Sequence, residues 1–240
     1  MKKYSYVGIS LIILLFGIYT IPKVVDRLSN PNSENVEKSS IKNKGLRTHD
    51  VKKSTKKVEL YKFDKVPPFE FIDQNSEIIT NETYKGKVYV VEFFFTTCPT
   101  ICPIMNEKMV DVQNEFLENP NFGIASISIN PNHDTSEILK AYADEYKVTS
   151  PNWHMLSGKD PEIVYELAKK GFKLFAGVAE EEVGGFEHSG LFALIDKDGF
   201  IRSRKDDHGN PIMYYRALKE NEFDDQIKEL KEDIKILLKE

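Results

Sequence analysis

Cysteine is scarce in this sequence, and arginine is absent from most of it. The 240 residues include only two cysteines, at positions 98 and 102, and neither lies near the apolar run at the N-terminus. Attachment of a lipid to a processed N-terminal cysteine is therefore excluded. No arginine lies between Arg47 and Arg202. This argues against a peroxidase of the peroxiredoxin type, because such an enzyme needs an arginine beside its reactive cysteine to activate the thiol.

Negative charge outnumbers positive charge beyond the first quarter of the chain. The net charge of the whole chain is −5. Residues 22–57 carry ten Lys and Arg against four Asp and Glu, a surplus of +6, and Lys2 and Lys3 add +2. Residues 58–240 therefore carry a net charge of −13. Nucleic-acid affinity comes largely from cations that contact phosphates, so we expect no nucleic-acid partner. The basic stretch is mixed with Ser, Asn and Gly. We therefore predict that residues 22–57 form a flexible tether, with contact to anionic lipid headgroups as the alternative.

The N-terminus carries an uncharged apolar run. Lys2 and Lys3 precede residues 4–21, which contain no charged side chain. A helix of this length spans about 27 Å, close to the hydrocarbon thickness of a bilayer. We predict one transmembrane anchor at 4–21, since the run is long for a cleaved signal peptide, the alternative, and no small-residue cleavage site follows it. The lysines place residues 1–3 in the cytoplasm and the rest on the outer, periplasmic side of the cell (inner) membrane.

The remaining residues predict one α/β domain at 58–240. The expected elements, in order, are a hairpin at 69–72 and 77–80, a buried strand at 88–95, a helix at 103–117, a strand at 122–129, a helix from 134 to 146, a short strand at 153–156, a helix at 161–170, a hairpin at 191–195 and 200–204, and a helix at 222–237. The continuous apolar run at 88–95 suits a central strand that is covered on both faces. This order predicts a thioredoxin-like fold, a central mixed sheet flanked by helices.

The two cysteines stand where reactive thiols are found, between this central strand and the helix that follows. Each is followed by a proline, which pushes Cys98 into a loop and places Cys102 at the mouth of a helix that starts near Pro103. The positive end of the helix should favour the thiolate of Cys102. The pair can close a disulfide or bind a soft metal ion. A purely structural disulfide is the alternative, but so short a loop would stabilise the fold little.

The other candidate residues receive structural predictions. His133, His154 and His208 have no ligand partner at a recognisable spacing and are expected at the surface or in packing, and His49 belongs to the tether. Asp134, with Glu137 three residues later, predicts a helix cap. Met105 and Trp153 are expected in the core, with a methionine thioether as an alternative ligand for a soft metal ion.

Three segments, in this order, resemble the signatures of the Sco/SenC family of membrane-anchored, thioredoxin-like copper-binding proteins. They are Phe94–Pro103, which is similar to the aromatic-rich C-P-x-x-C-P-type signature; Ser128–Thr135, similar to S-I-D-P-x-x-D-T; and His188–Ser189 ahead of 191–195 with Asp198 and Gly199, similar to H-[ST]…L-I-D-x-x-G. The resemblance covers about residues 65–238. Asn130 departs from it, because the family has an acidic residue there, and so does the approach 184–187 to His188.

The resemblance implies a site and a function. It assigns Cys98, Cys102 and His188 as ligands of a copper ion, Cu(I) or Cu(II), with no further ligand. It implies a metallochaperone that delivers copper to the CuA centre of a cytochrome c oxidase, whose copper-binding subunit would be the partner. The alternative is a thiol–disulfide oxidoreductase that uses Cys98 and Cys102 as a redox pair on that subunit or on another exported cysteine protein. Only in that case would the chain be an enzyme.

Overall fold

A computed structural model describes residues 14–22, 59–174, 176–178, 186–219 and 223–240, with the backbone alone at 178 and 186–188. The chain divides into two compact units, 1–54 and 55–240. In the first unit, residues 14–22 are helical and their large apolar side chains are exposed. Within the described residues, no helix has both the length and the apolar character needed to cross a membrane. Residues 4–13 of the predicted anchor lie outside the described residues, and so does all of the predicted tether except residue 22.

The second unit is built on one mixed β-sheet. Its strands are β1 Tyr61–Lys65, β2 Glu70–Asp73, β3 Ile78–Thr80, β4 Val88–Phe94, β5 Phe122–Ser128, β6 Trp153–Ser157, β9 Leu191–Ile195, β10 Phe200–Ser203 and β11 Tyr215–Arg216, while β7 Ala176–Val178 and β8 Phe186–His188 form a separate pair. The order across the sheet is β1-β10-β9-β4-β5-β6-β2-β3, and β11 pairs with β9. β4, β5 and β6 run parallel, and the other pairings are antiparallel.

The centre of the sheet is β4, as the apolar run predicts. All seven residues of β4 are buried, and so are all seven of β5. A strand that is buried at successive positions has both faces covered, because successive side chains point to opposite faces. β9 flanks β4 on one side and β5 on the other. The loops that follow β4 and β5 therefore leave the same edge of the sheet.

Four helices accompany the sheet in the described part of this unit: α1 Ile101–Phe116, α2 Ser136–Glu145, α3 Pro161–Glu166 and α4 Ile227–Lys239. α3 starts as predicted, because Asp160 caps it and Pro161 occupies its first turn, and it continues into a π-helical turn at Leu167–Gly171. α4 buries the stripe Ile227, Leu230, Ile234 and Leu237. Apolar residues at this spacing share one helix face, and that face packs on the domain.

The structure corrects three helix starts. α1 starts at residue 101, two residues before the prediction, so Cys102 lies inside its first turn. α2 is capped by the Thr135 side chain, which accepts from Ile138 N, and not by Asp134. α4 starts at 227 and not at 222, because Gln226 pairs with Arg216 through both its backbone and its side chain. Phe223, expected on the buried stripe, is consequently 62% exposed.

Candidate metal centre

The two cysteines lie in contact at the C-terminal end of the central strand. β4 ends at Phe94, Cys98 lies in the following loop, and Cys102 is the second residue of α1. No disulfide joins them, and the Cys102 thiol shares a hydrogen bond with the thiol of Cys98. Cys98 Sγ also lies 3.6 Å from the Thr100 hydroxyl. The position predicted for the pair, between the central strand and a helix, is what the fold provides.

Burial dominates the acidity of Cys102. Its side chain is completely buried, whereas Cys98 is 7% exposed. Burial raises the pKa of the Cys102 thiol well above its ordinary value and the hydrogen bond with Cys98 raises it further, while a backbone hydrogen bond with Phe95 lowers it. The prediction that the helix end holds this residue as a thiolate is therefore wrong for the reduced pair. Desolvation disfavours the charged form more than the helix end favours it.

A buried carboxylate holds the loop that carries Cys98. Asp134 is completely buried, and its side chain accepts hydrogen bonds from the Thr96 backbone, at 3.1 Å, and from the hydroxyls of Thr96 and Ser128. Thr96 stands two residues before Cys98, and Asp134 follows the neighbouring strand β5. Asp134 therefore joins the loop after β4 to the loop after β5 through hydrogen bonds. It is not the helix cap that the local sequence predicts.

A histidine extends the same network toward solvent. Nδ1 of His133 lies 2.8 Å from Asp134 Oδ1 and 3.4 Å from the hydroxyl of Thr96. The His133 side chain is 47% exposed, while that of Asp134 is wholly buried. The position predicted for His133, at the surface or in packing, is confirmed, but the residue also contacts the loop that carries Cys98. Spacing along the sequence gives no sign of this, because the contact joins two loops from neighbouring strands.

His188 precedes β9, the strand that flanks β4 on the side opposite β5. His188 ends β8, in register with Ala176, and the chain then enters β9. β9 runs antiparallel to β4, with Ala193 opposite Val91, so β9 begins at the edge of the sheet where β4 ends. The structure describes no side chain for His188, and the approach to it at 184–185 lies outside the described residues. The assignment of His188 as a ligand stays a prediction.

The other predicted positions are structural. His154 is buried, with Nδ1 3.0 Å from Asp73 Oδ2, and His208 lies in an exposed turn. Met105 and Trp153 are core residues, as predicted. Among the side chains that the structure describes, which do not include that of His188, no three or more His, Cys, Asp and Glu residues gather closely enough to hold a metal ion.

The family follows from the comparison of this chain with known proteins. The family model of SCO1/SenC matches residues 58–221. The chain belongs to the SCO1/SenC family. The SCO1 protein homolog of Bacillus subtilis (strain 168) is 33% identical over 167 residues, which are 69% of this chain and 81% of that protein. The three motifs at the cysteines, at Asp134 and at His188 all fall inside the matched range.

Solved structures of Sco proteins share the fold. BsSco, described as a member of the Sco family of cytochrome c oxidase assembly proteins with a disulfide switch, is 29% identical with a TM-score of 0.61, over 76% of this chain and 96% of that one. Bradyrhizobium japonicum ScoI, solved with copper bound, is 22% identical with a TM-score of 0.52, over 73% of this chain and all of that one. The thioredoxin-like fold predicted for this Sco domain is confirmed.

One buried acid beneath the site of this Sco domain was not predicted. Glu92, the single charged residue of β4, is completely buried. Its Oε1 accepts a 2.6 Å hydrogen bond from the Ser126 hydroxyl, while Oε2 has no hydrogen-bond partner in the described part of the chain. Burial raises the pKa of Glu92 to about 7, although the Ser126 hydrogen bond lowers it. The sequence does contain a sign of this buried acid, because Glu92 is the single charged residue in an otherwise apolar run.

Replacement of Glu92 by glutamine should flatten the pH dependence of stability. The folded-state pKa is raised from 4.5 to about 7, so the contribution of this group is complete below pH 4.5 and is lost as pH rises through about 7. The loss is about 3 kcal/mol. Urea unfolding between pH 4.5 and 8 should show this slope in the native chain and not in Glu92→Gln. The exposed Glu82→Gln is the matched control, and equal slopes in Glu92→Gln and the native chain would contradict the burial argument.

Proposed function

We propose that this chain binds one copper ion through Cys98, Cys102 and His188 and delivers it to the CuA centre of a cytochrome c oxidase. The observation that carries the proposal is the contact between two thiols, not joined in a disulfide, at the end of the central strand. Membership of the SCO1/SenC family supports it, as does the description of BsSco as one of the cytochrome c oxidase assembly proteins.

The donor set suits copper better than it suits a structural metal. Cu(I) is a soft ion that prefers thiolates, and two sulfurs with one imidazole form a trigonal site; Cu(II) accepts the same set with an added oxygen ligand. A structural zinc site normally has four protein ligands. A three-ligand site with one ligand on a separate hairpin is suited to release of the ion, since one ligand can leave without disturbing the other two.

Redox state and proton release both control loading. A disulfide between Cys98 and Cys102 removes both sulfur ligands, so oxidation must prevent binding. Because burial raises the pKa of the Cys102 thiol, the ion has to displace a proton from it. The apparent copper affinity should therefore rise with pH, by up to about tenfold per pH unit for each proton released.

Copper titration of the full chain in detergent tests the proposal. The reduced protein should bind one ion per chain and release protons into a weak buffer that contains an indicator. The protein oxidised to the disulfide should bind none tightly, and re-reduction should restore the site. Equal copper affinity of the reduced and the oxidised chain would place the metal elsewhere and would overturn the proposal.

A thiol–disulfide oxidoreductase is the second candidate. The observation that favours it is the same hydrogen-bonded thiol pair, which could exchange with a disulfide of an oxidase subunit or of another exported protein. The three residues between the cysteines favour the metal function, because the redox motif of thioredoxin-like proteins has two.

We also propose that residues 4–21 anchor the protein in the cell membrane with the Sco domain outside the cytoplasm. The uncharged run behind Lys2 and Lys3 supports this orientation. Carbonate washing of membranes should leave the full-length chain in the pellet, and protease added to the outer face should digest the domain. A soluble product that lacks the first residues would support a cleaved signal peptide instead.

A further inference from the structure

His133 is oriented by a buried carboxylate. Asp134 already accepts hydrogen bonds from the Thr96 backbone, from the Thr96 hydroxyl and from the Ser128 hydroxyl. With three donors already on it, Asp134 is also the acceptor in its contact with His133, whose Nδ1 lies 2.8 Å from Asp134 Oδ1 and donates its hydrogen there. A neutral imidazole whose Nδ1 carries the hydrogen has its lone pair on Nε2, and the hydrogen bond to Asp134 holds the ring in one orientation.

This is the arrangement that proteins use to prepare a metal-binding histidine. A ligating imidazole almost always donates its other N–H to a carboxylate or carbonyl, which fixes the tautomer and makes the free nitrogen a better donor. In this chain the carboxylate is buried and the histidine side chain is 47% exposed. Nε2 lies on the far side of the ring from Nδ1, the nitrogen that faces the carboxylate.

The position of His133 connects it to the cysteine loop. β4 and β5 are parallel neighbours with Phe94 opposite Ser128, and Ile129 N donates to the Phe94 carbonyl, so the loops after them leave the sheet together. The hydroxyl of Thr96, two residues before Cys98, lies 3.4 Å from His133 Nδ1. β9, which follows His188, flanks β4 on the opposite side. The cysteine loop therefore lies between His133 and the strand that follows His188.

We propose that His133 is a transit ligand, which binds copper through Nε2 while the ion enters or leaves the Cys98–Cys102 pair. The inference rests on the proposed copper function and adds a residue to it. Among the described side chains, His133 and the cysteines do not form a cluster of three metal-binding groups. The resting ligands of the proposed function are Cys98, Cys102 and His188, and His133 is not one of them. A ligand that binds copper only while the ion enters or leaves lowers the free-energy barrier to binding and to release alike. The equilibrium affinity for copper therefore stays nearly unchanged.

The variant His133→Asn tests the role of Nε2 separately from that of Nδ1. The asparagine amide can take the place of Nδ1–H and donate to Asp134, but it offers nothing in the place of Nε2. The native chain, His133→Asn and His133→Ala are loaded with Cu(I) and mixed with excess bathocuproine disulfonate in a stopped-flow instrument. Both variants should release copper about tenfold more slowly, the scale of effects seen for residues around metal sites, while the equilibrium affinity stays within about twofold of native. His208→Asn, in an exposed turn, is the matched control and should release copper at the native rate.

Each outcome distinguishes this inference from the function on which it rests. Native release rates in His133→Asn, with slow release only in His133→Ala, would mean that His133 acts through Asp134 on the loop and would overturn its role as a ligand. Native rates in both variants would overturn the inference and leave copper binding by the cysteines standing. A native chain that binds no copper would overturn both. Equal alkylation rates of Cys98 in all variants verify that the loop is intact.

Discussion

Replacement of either Cys98 or Cys102 by serine should lower the copper affinity of the reduced chain by more than about 100-fold. Loss of a residue that only supports a metal ligand costs up to about this factor, and loss of a ligand costs more. Serine is close to cysteine in volume but offers a hard, weakly acidic hydroxyl, which is a poor donor for Cu(I). The two variants should therefore fold normally and fail to hold the ion.

Competition with a Cu(I) chelator of known affinity measures this effect. Thr97→Ser, in the same loop and exposed, is the matched control and should bind copper as the native chain does. The two cysteines should also differ from each other. Cys98 is slightly exposed and Cys102 is not, so an alkylating reagent should modify the native reduced chain first at Cys98. Undiminished copper affinity in either serine variant would show that the metal lies elsewhere.

Local chemistry in the sequence predicts the centre of the fold and the cysteine pair well. The apolar run of β4, Asp160 with Pro161 at the start of α3 and the Asp-Gly turn before β10 each have a local physical cause, and each is present in the structure. β1 was not predicted, because its five residues lie mostly exposed at the edge of the sheet and none of them is buried. Its place is determined by pairing with β10, far along the chain.

The errors at the site have the same origin. Asp134 has the spacing of a helix cap, but its partner Thr96 lies 38 positions earlier in the chain. The sequence shows that a helix begins near Cys102, which should lower the pKa of its thiol. It does not show how deeply the thiol is buried, and burial raises this pKa. His133 was predicted at the surface or in packing because no second ligand stands near it in sequence, and that prediction misses its contact with the loop that carries Cys98. For Asp134 and His133 the deciding contact joins the loops after β4 and β5, which only the parallel pairing of those strands brings together.

Replacement of His188 by alanine should separate the copper function from thiol chemistry. A trigonal site would lose one of its three ligands, so we expect the copper affinity to fall by more than about tenfold. Loss of a residue that only supports a metal ligand already lowers metal affinity by about this factor. Reduction of a small disulfide substrate needs only Cys98 and Cys102, which lie in the loop after β4 and in α1. Its rate should stay within about twofold of native. Alanine is tolerated at a strand end, so the β7–β8 pairing should survive.

The measurement is paired, with copper affinity and disulfide reduction determined on the same preparation. Glu187→Ala, the neighbouring residue of β8, is the matched control and should change neither quantity. A reductase has no use for an imidazole so far along the chain from its thiols, whereas a copper site with two thiols and no third ligand holds the ion less firmly. If the His188→Ala variant keeps its copper affinity but no longer reduces the disulfide substrate, His188 acts on the thiols and not on the metal. That result would support the oxidoreductase function and contradict the copper function.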